Sequence, residues 1–233
     1  MTTADLAYLR LMLANLTKEE ICSLETFRPS WPPQLQDEPP HAVIDGICNS
    51  LQSLQSLELR LRCIASIQCQ LISLNLVKPW QLYRLATAPT WEGCYLLAES
   101  TSTAIQLHDY DVTKAWNMCG SALHGCLLIS SLQSPCPLRI PAYIVLWPGQ
   151  PLLAISSLQY GIQCGVVSAV SAALHCGYME LQGLISDDLD WAYHVAVDFI
   201  ESTLPQPAPG HLTTNGHGEV TAVSVNEPGD FPV

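Results

Sequence analysis

The chain has 233 residues, 48% of them hydrophobic and 13% charged, which is enough apolar mass for one sizeable core or two small ones and too little charge for a disordered chain. The net charge of -12 is uneven: all nine Lys and Arg lie at or before Arg139, and nine of the 21 acids lie after it. That purely negative second half disfavours nucleic acid and anionic lipid headgroups as its ligands and suits basic partners.

In chain order, Leu6, Leu9, Leu13 and Leu16 recur three to four apart and predict a helix with one apolar face. Thr17 and Glu20 have capping-box spacing, with Leu16 and Ile21 placed as a hydrophobic staple, so a second helix starts there. Arg28 to Pro40 holds five prolines and reads as an extended loop. Two more helical stripes follow, Val43, Ile47 and Leu51, then Leu57, Leu61, Ile64, Ile67, Leu71 and Leu74. Pro79 is expected to open a short helix carrying Trp80 and Tyr83. These elements make an N-terminal helical bundle over residues 1–88.

The period then changes. Cys94 to Ala98 is short and apolar, and Asp111 is expected to cap a helix with Val112, Ala115, Trp116, Cys119 and Leu123 on one side. Cys126 to Ser131, Ala142 to Trp147 and Leu152 to Ser156 read as strands, the last two joined by a type II turn at Pro148-Gly149. Leu158 to Cys176 reads as a helix of small residues that Gly177 stops in the left-handed conformation. Tyr178 to Ile185 returns as a strand. Ser186 is expected to cap a last helix, anchored by Val195 and Phe199, with Asp187, Asp188 and Asp190 at the positive end of its dipole. The fold class is therefore α+β: the bundle, then an antiparallel-rich sheet with packed helices over residues 91–203, then a tail over residues 204–233 expected to be disordered.

Chemistry-bearing motifs are sparse. The ten cysteines include no close C-x-x-C pair and fall mostly in apolar runs, so they read as reduced core thiols. His175-Cys176 is the nearest approach to a catalytic pair, but neighbouring helical residues diverge and no local motif supports it. The three aspartates at 187, 188 and 190 lack the glycine and closing glutamate of a calcium loop, and His211 and His217 have no further ligand near them. Trp80, Trp116 and Trp147 sit in apolar stretches as core anchors. No glycine loop suited to phosphate occurs. The uncharged stretch from Arg139 to Glu180 is broken by Pro148, Gln150, Pro151, Gln159 and Gln163, so no membrane span is expected. Met1 to Arg10 has no signal-peptide pattern, and the expected location is cytosolic or nuclear. The reading is of a protein without enzyme activity, cofactor, metal or small-molecule substrate.

Several segments carry a resemblance: the helix pair Leu6 to Leu24 with Glu20, Val77-Lys78-Pro79-Trp80-Gln81-Leu82-Tyr83, and Leu107-His108-Asp109. Pro141-Ala142-Tyr143-Ile144-Val145-Leu146-Trp147, Gln150-Pro151, Ser156-Ser157-Leu158, the small-residue helix and Met179-Glu180-Leu181 continue it. Taken in order, they resemble the N-terminal two-thirds of the centromere protein N family, over roughly residues 5–200. The resemblance implies a pyrin-like (death-fold-like) helical domain, an α+β domain shared with centromere protein L, and a non-catalytic adaptor in the nucleus, at the centromere and kinetochore. It also implies partners among other kinetochore subunits and the centromeric nucleosome. Beyond this stretch the family continues into a part that pairs with centromere protein L.

Carried over residue by residue, Arg10, Lys78 and Lys114 keep a positive charge where the family faces nucleosomal DNA. Thr3, Ala7 and Leu11 stand where the family's histone-reading helix is charged, Gln36-Asp37-Glu38 replaces a basic loop, and Gln159-Tyr160 stands near a basic pair. Each phosphate contact contributes a salt slope of about -0.9, so three or four cations imply weak DNA binding. The alternative reading is an acidic protein-protein interaction module that does not bind chromatin.

Overall fold

The apolar stripes of the first 75 residues do become helices. In the computed structural model, which describes residues 3–24, 38–99, 105, 107–133, 139–156 and 158–203, these are α1 (Thr3–Ala14), α2 (Lys18–Ser23), α3 (Pro40–Ser53) and α4 (Leu57–Ser73). Leu6, Leu9, Leu13 and Leu16 are buried, as are Val43, Ile47 and Leu51. The capping box at the start of α2 is complete: Thr17 N–H donates to Glu20 Oε2 at 2.7 Å, and Glu20 N–H donates to Thr17 Oγ1 at 3.2 Å. α4 starts on Ser56, whose hydroxyl accepts from Leu59 N–H. The proline-rich loop lies, apart from its last residues, outside the described residues.

The remaining elements are β1 (Trp80–Leu85), α5 (Trp91–Glu99), β2 (Tyr110–Cys119), β3 (Ala122–Ser131), β4 (Ile140–Leu146), β5 (Leu152–Ser156), α6 (Tyr160–Ala173), β6 (Tyr178–Ser186) and α7 (Leu189–Thr203). The six strands form one sheet in the order β2-β3-β4-β5-β1-β6, and every pairing is antiparallel. The architecture is α+β. Met1–Ala196 forms one compact unit; beyond it the described residues continue α7 to Thr203, and the tail over residues 204–233 lies outside the described residues.

Two expected helices are strands. Trp80 and Tyr83 do not ride on a helix opened by Pro79 but lie in β1, which pairs with β5 on one side and β6 on the other. Five of its six residues are buried, so both faces are covered and the two-residue alternation that marks a half-buried strand is erased. Asp111 does not cap a helix; it lies in β2, with Val112, Ala115, Trp116 and Cys119. β2 is an edge strand, half-buried along most of its length, and that also hides the alternation. The two-residue Gly120-Ser121 turn, with Gly120 at φ +58°, returns the chain to β3 as a II′-type turn requires.

The hairpin β4–β5 forms as expected. Gln150 N–H donates to Trp147 O at 2.9 Å and Gly149 has φ +85°, the positive dihedral of a type II turn. The helix of small residues, α6, stops earlier than Gly177. His175 takes the left-handed conformation at φ +53°, while Cys176 N–H reaches Ser171 O and His175 N–H reaches Ala172 O, a Schellman motif. Asn75 closes α4 in the same way, at φ +53°. The cap of α7 is Asp188, whose carboxylate accepts from Trp191 N–H at 3.0 Å, with Ser186 Oγ in turn accepting from Asp188 N–H. Ala192 and Ala196 are buried in α7, whereas Phe199 is exposed.

The sheet is covered on both faces. On one, Leu123, Leu127, Ala142, Ile144, Leu153 and Tyr83 join Cys94 and Leu97 of α5 and Ile162, Val166 and Val170 of α6 in a single apolar cluster. Residues one step along the strands point the other way. There α4 lies across β2, β3 and β4.

Candidate functional site

The interface between α4 and the sheet is a polar seam inside an apolar layer. Gln68 and Cys69 are buried on the inner side of α4, beside Ser73. Tyr143 Oη donates to Gln68 Oε1 at 2.5 Å, Cys69 Sγ donates to His124 O at 3.2 Å, and Ser73 Oγ meets His124 Nδ1 at 3.2 Å. Helix and sheet are thus registered by directional bonds.

The seam's ionisable groups are all held neutral near pH 7. Burial pushes the Cys69 thiol up to about 12 and the Cys126 thiol well above its ordinary value; it also raises the Tyr143 phenol. Burial lowers His124 to about 4. A catalytic thiolate or a base poised near neutrality needs shifts in the opposite directions. The seam is built for packing.

At its rim, Asp5 of α1 and Arg139, just before β4, form an ion pair that is nearly closed to solvent. Arg139 Nη1 lies 3.1 Å from Asp5 Oδ2, with side-chain exposures of 10% and 4%, and Arg139 N–H donates to Asp5 Oδ1 at 3.3 Å. Arg139 Nη2 also approaches Asp111 of β2 at 3.9 Å. A narrow cleft beside the pair, lined by Tyr8, Leu61, Ile64 and Pro141 among others, holds about 10 Å³, the space of one water-sized sphere.

The three candidate DNA-contacting cations lie on separate elements. Arg10 of α1 pairs with Asp45 of α3 at 2.8 Å on the surface, both side chains about half exposed. Lys78 is exposed in the segment leading into β1. Lys114 lies in β2, four strands from β1 and so roughly 19 Å away across the sheet. Its Nζ is buried and finds no hydrogen-bond acceptor, and burial, with the nearby charge of Arg62, lowers its pKa.

Among the described residues no group of three or more His, Cys, Asp or Glu is placed to hold a metal ion. His175 and Cys176 are the two closing residues of the cap on α6, and burial raises the Cys176 thiol. Asp188 is occupied as a helix cap, and His211 and His217 lie outside the described residues. Cys48, Cys63, Cys69, Cys94, Cys119, Cys126, Cys164 and Cys176 are free thiols, and of these Cys48, Cys69, Cys94 and Cys126 are buried. Among the described residues no helix is long and apolar enough to cross a membrane. Trp80 and Trp147 are buried core anchors, and Trp116 is half-buried against Gly125.

The Asp5–Arg139 pair and the His124 seam were not singled out from sequence. The available signals were Gln68 and Gln70 within the apolar second half of α4, and Arg139 as the last cation of the chain, ahead of a long uncharged run. Compared with known proteins, the chain matches no family model and no curated protein.

Proposed function

We propose that this chain is a non-catalytic adaptor of the inner kinetochore, in the manner of the centromere protein N family it resembles, and that it works mainly through protein contacts. In this reading α1 to α3 form the pyrin-like part, and α4 with the sheet forms the part akin to centromere protein L. The observation that carries the preference for protein over DNA is the state of the candidate cations. Arg10 is paired with Asp45, and the Lys114 amine is buried, which leaves Lys78 as the candidate whose charge is exposed without a carboxylate partner among the described residues.

The test is reconstitution with centromeric and ordinary nucleosomes, alongside purified kinetochore subunits. Preference for the centromeric particle, or recovery of kinetochore subunits, supports the reading. Equal or absent nucleosome binding removes its chromatin part, and failure to recover any kinetochore subunit overturns it.

One observation favours the acidic interaction module as a second reading. α5 exposes Trp91, Tyr95 and Leu96 together with Glu92 and Glu99, an apolar and acidic helix face suited to an amphipathic basic partner. Binding carried by those acids weakens as salt rises.

A further inference from the structure

β2 is an edge strand, and among the described residues no further strand pairs with its outer side. In an antiparallel ladder the residues that exchange hydrogen bonds alternate, and Cys119 and Ala122 close the turn between β2 and β3 while Leu132 N–H donates to Asp109 O at the far end. Odd-numbered residues of β2 therefore turn their backbone groups to β3. Val112, Lys114, Trp116 and Met118 turn theirs outward, and among the described residues those groups have no partner. The open stretch is about 20 Å long.

Edge strands are ordinarily guarded by proline, a bulge, brevity or a projecting charge. β2 has ten residues, no proline and no register break against β3, and its one lysine buries its amine. The same strand holds Lys114 Nζ, Trp116 Nε1 and Asn117 Nδ2, three of the six buried side-chain polar atoms without a hydrogen-bond partner among the described residues. All three are donors, and buried donors without acceptors are rare in a folded protein. The missing chemistry is a set of acceptors.

We infer that β2 is the docking edge for an extended segment of another polypeptide, which adds a seventh strand to the sheet and brings carboxylates to Lys114 and its neighbours. A second copy of this chain fits less well, because β2 against β2 sets donor against donor. Arg62 pairs with Glu58, and Asp111 of β2 itself faces Arg139 at 3.9 Å, so what calls for an acidic strand is the set of unpartnered donors on β2 and not a surplus of local positive charge. This inference goes beyond the adaptor reading and does not depend on it.

The test uses the full chain with two capped synthetic peptides, one of alternating valine and glutamate and one of alternating valine and lysine. Amide exchange is followed at Val112, Lys114, Trp116 and Met118. At saturation the glutamate peptide is expected to slow exchange at those four amides tenfold or more, and the lysine peptide is not. Val112→Pro removes one outward N–H while sparing the bonds to β3 and is expected to abolish the effect, whereas Val112→Ala, which loses the same packing against the apolar cluster but keeps the N–H, is expected to retain it. Lys114→Met leaves the backbone intact and should erase discrimination between the peptides. No alternating protection, equal protection by both peptides, or protection that appears in the chain alone and grows with its concentration each overturns the proposal, the last by assigning the edge to a second copy.

Discussion

Replacing Gly125 by alanine puts a methyl group into space that Trp116 occupies. The two residues face each other across β2 and β3, and a Cβ at position 125 would overlap the indole at Cζ3 and Cε3 and lie 2.8 Å from Cη2. Ordinary carbon contacts are about 3.5–4.0 Å, so the ring must shift by on the order of 1 Å. Overpacking of that kind costs about 1–3 kcal/mol. Against it stands the intrinsic advantage of alanine over glycine in a strand, about 0.5–1 kcal/mol. The net expectation is a loss of about 1–2 kcal/mol, or roughly 2–8 °C in melting temperature for a unit of this size. In a Trp116→Ala background the obstacle is gone and the same change should be neutral or stabilising. A double-mutant cycle by urea unfolding should therefore show a coupling of about 2 kcal/mol, well above the roughly 0.3–0.5 kcal/mol scatter of independent sites. Equal destabilisation by Gly125→Ala in both backgrounds would refute the packing argument.

His175→Gly should raise stability by about 1 kcal/mol, because an exposed non-glycine residue holds the left-handed position at the end of α6; a lower melting temperature would show that the imidazole makes contacts worth more than that strain. Asp5→Ala strands the Arg139 guanidinium in a site only 10% exposed and should cost about 3–5 kcal/mol, with Asp5→Asn costing less, both read by denaturant titration. His124 is lowered by burial to about 4 in the folded protein, against about 6.5 in the unfolded chain. The unfolded state therefore takes up the proton first: stability should be flat above pH about 6.5, fall by on the order of 3 kcal/mol as pH drops towards 4, and lose no more to this group below that. His124→Gln should flatten the upper part of that fall, between pH about 6.5 and 5, and an unchanged profile there would refute the assignment.

The parts of the fold legible in the sequence are those where one face of an element meets solvent or where a turn demands a particular residue. Leu9 and Leu13 mark a helix because their neighbours Arg10 and Leu11 are exposed, and Pro148-Gly149 marks a hairpin because few other pairs fit its dihedrals. The misread elements fail for the complementary reason. β1 is buried on both faces, so Trp80 and Tyr83 mimic a helical spacing, and β2 is half-buried on both, so Val112, Ala115, Trp116 and Cys119 do the same. His175 took the cap expected of Gly177 because the closing hydrogen bonds follow where the helix ends, which sequence locates only to within a few residues. Of the polar seam only Gln68, a polar residue on an apolar stripe, left a sequence signal: Gln68, His124 and Tyr143 are 19 to 75 residues apart in sequence and meet only once α4 lies on the sheet.

The same contacts bear on what the chain's few cations are for. Arg139 joins α1 to the start of β4 and reaches towards β2, Arg10 joins α1 to α3, and Arg62 pairs with Glu58 one turn back on α4. The Lys114 amine is withdrawn from solvent. That leaves Lys18, Arg60, Lys78 and Arg84 without a carboxylate partner among the described residues, and Arg60 already donates to Gln55 O. A guanidinium that closes a buried pair contributes to holding α1 on the sheet and cannot also neutralise a phosphate without opening that pair. Among the eight described cations, then, Arg139 is held in a buried pair and the Lys114 amine is withdrawn, Arg10 and Arg62 sit in half-exposed surface pairs, and four carry no carboxylate partner. On the proposed adaptor reading, that inventory limits DNA contact to a few phosphates at about -0.9 in salt slope each, and a larger measured slope would count against a mainly protein-borne affinity.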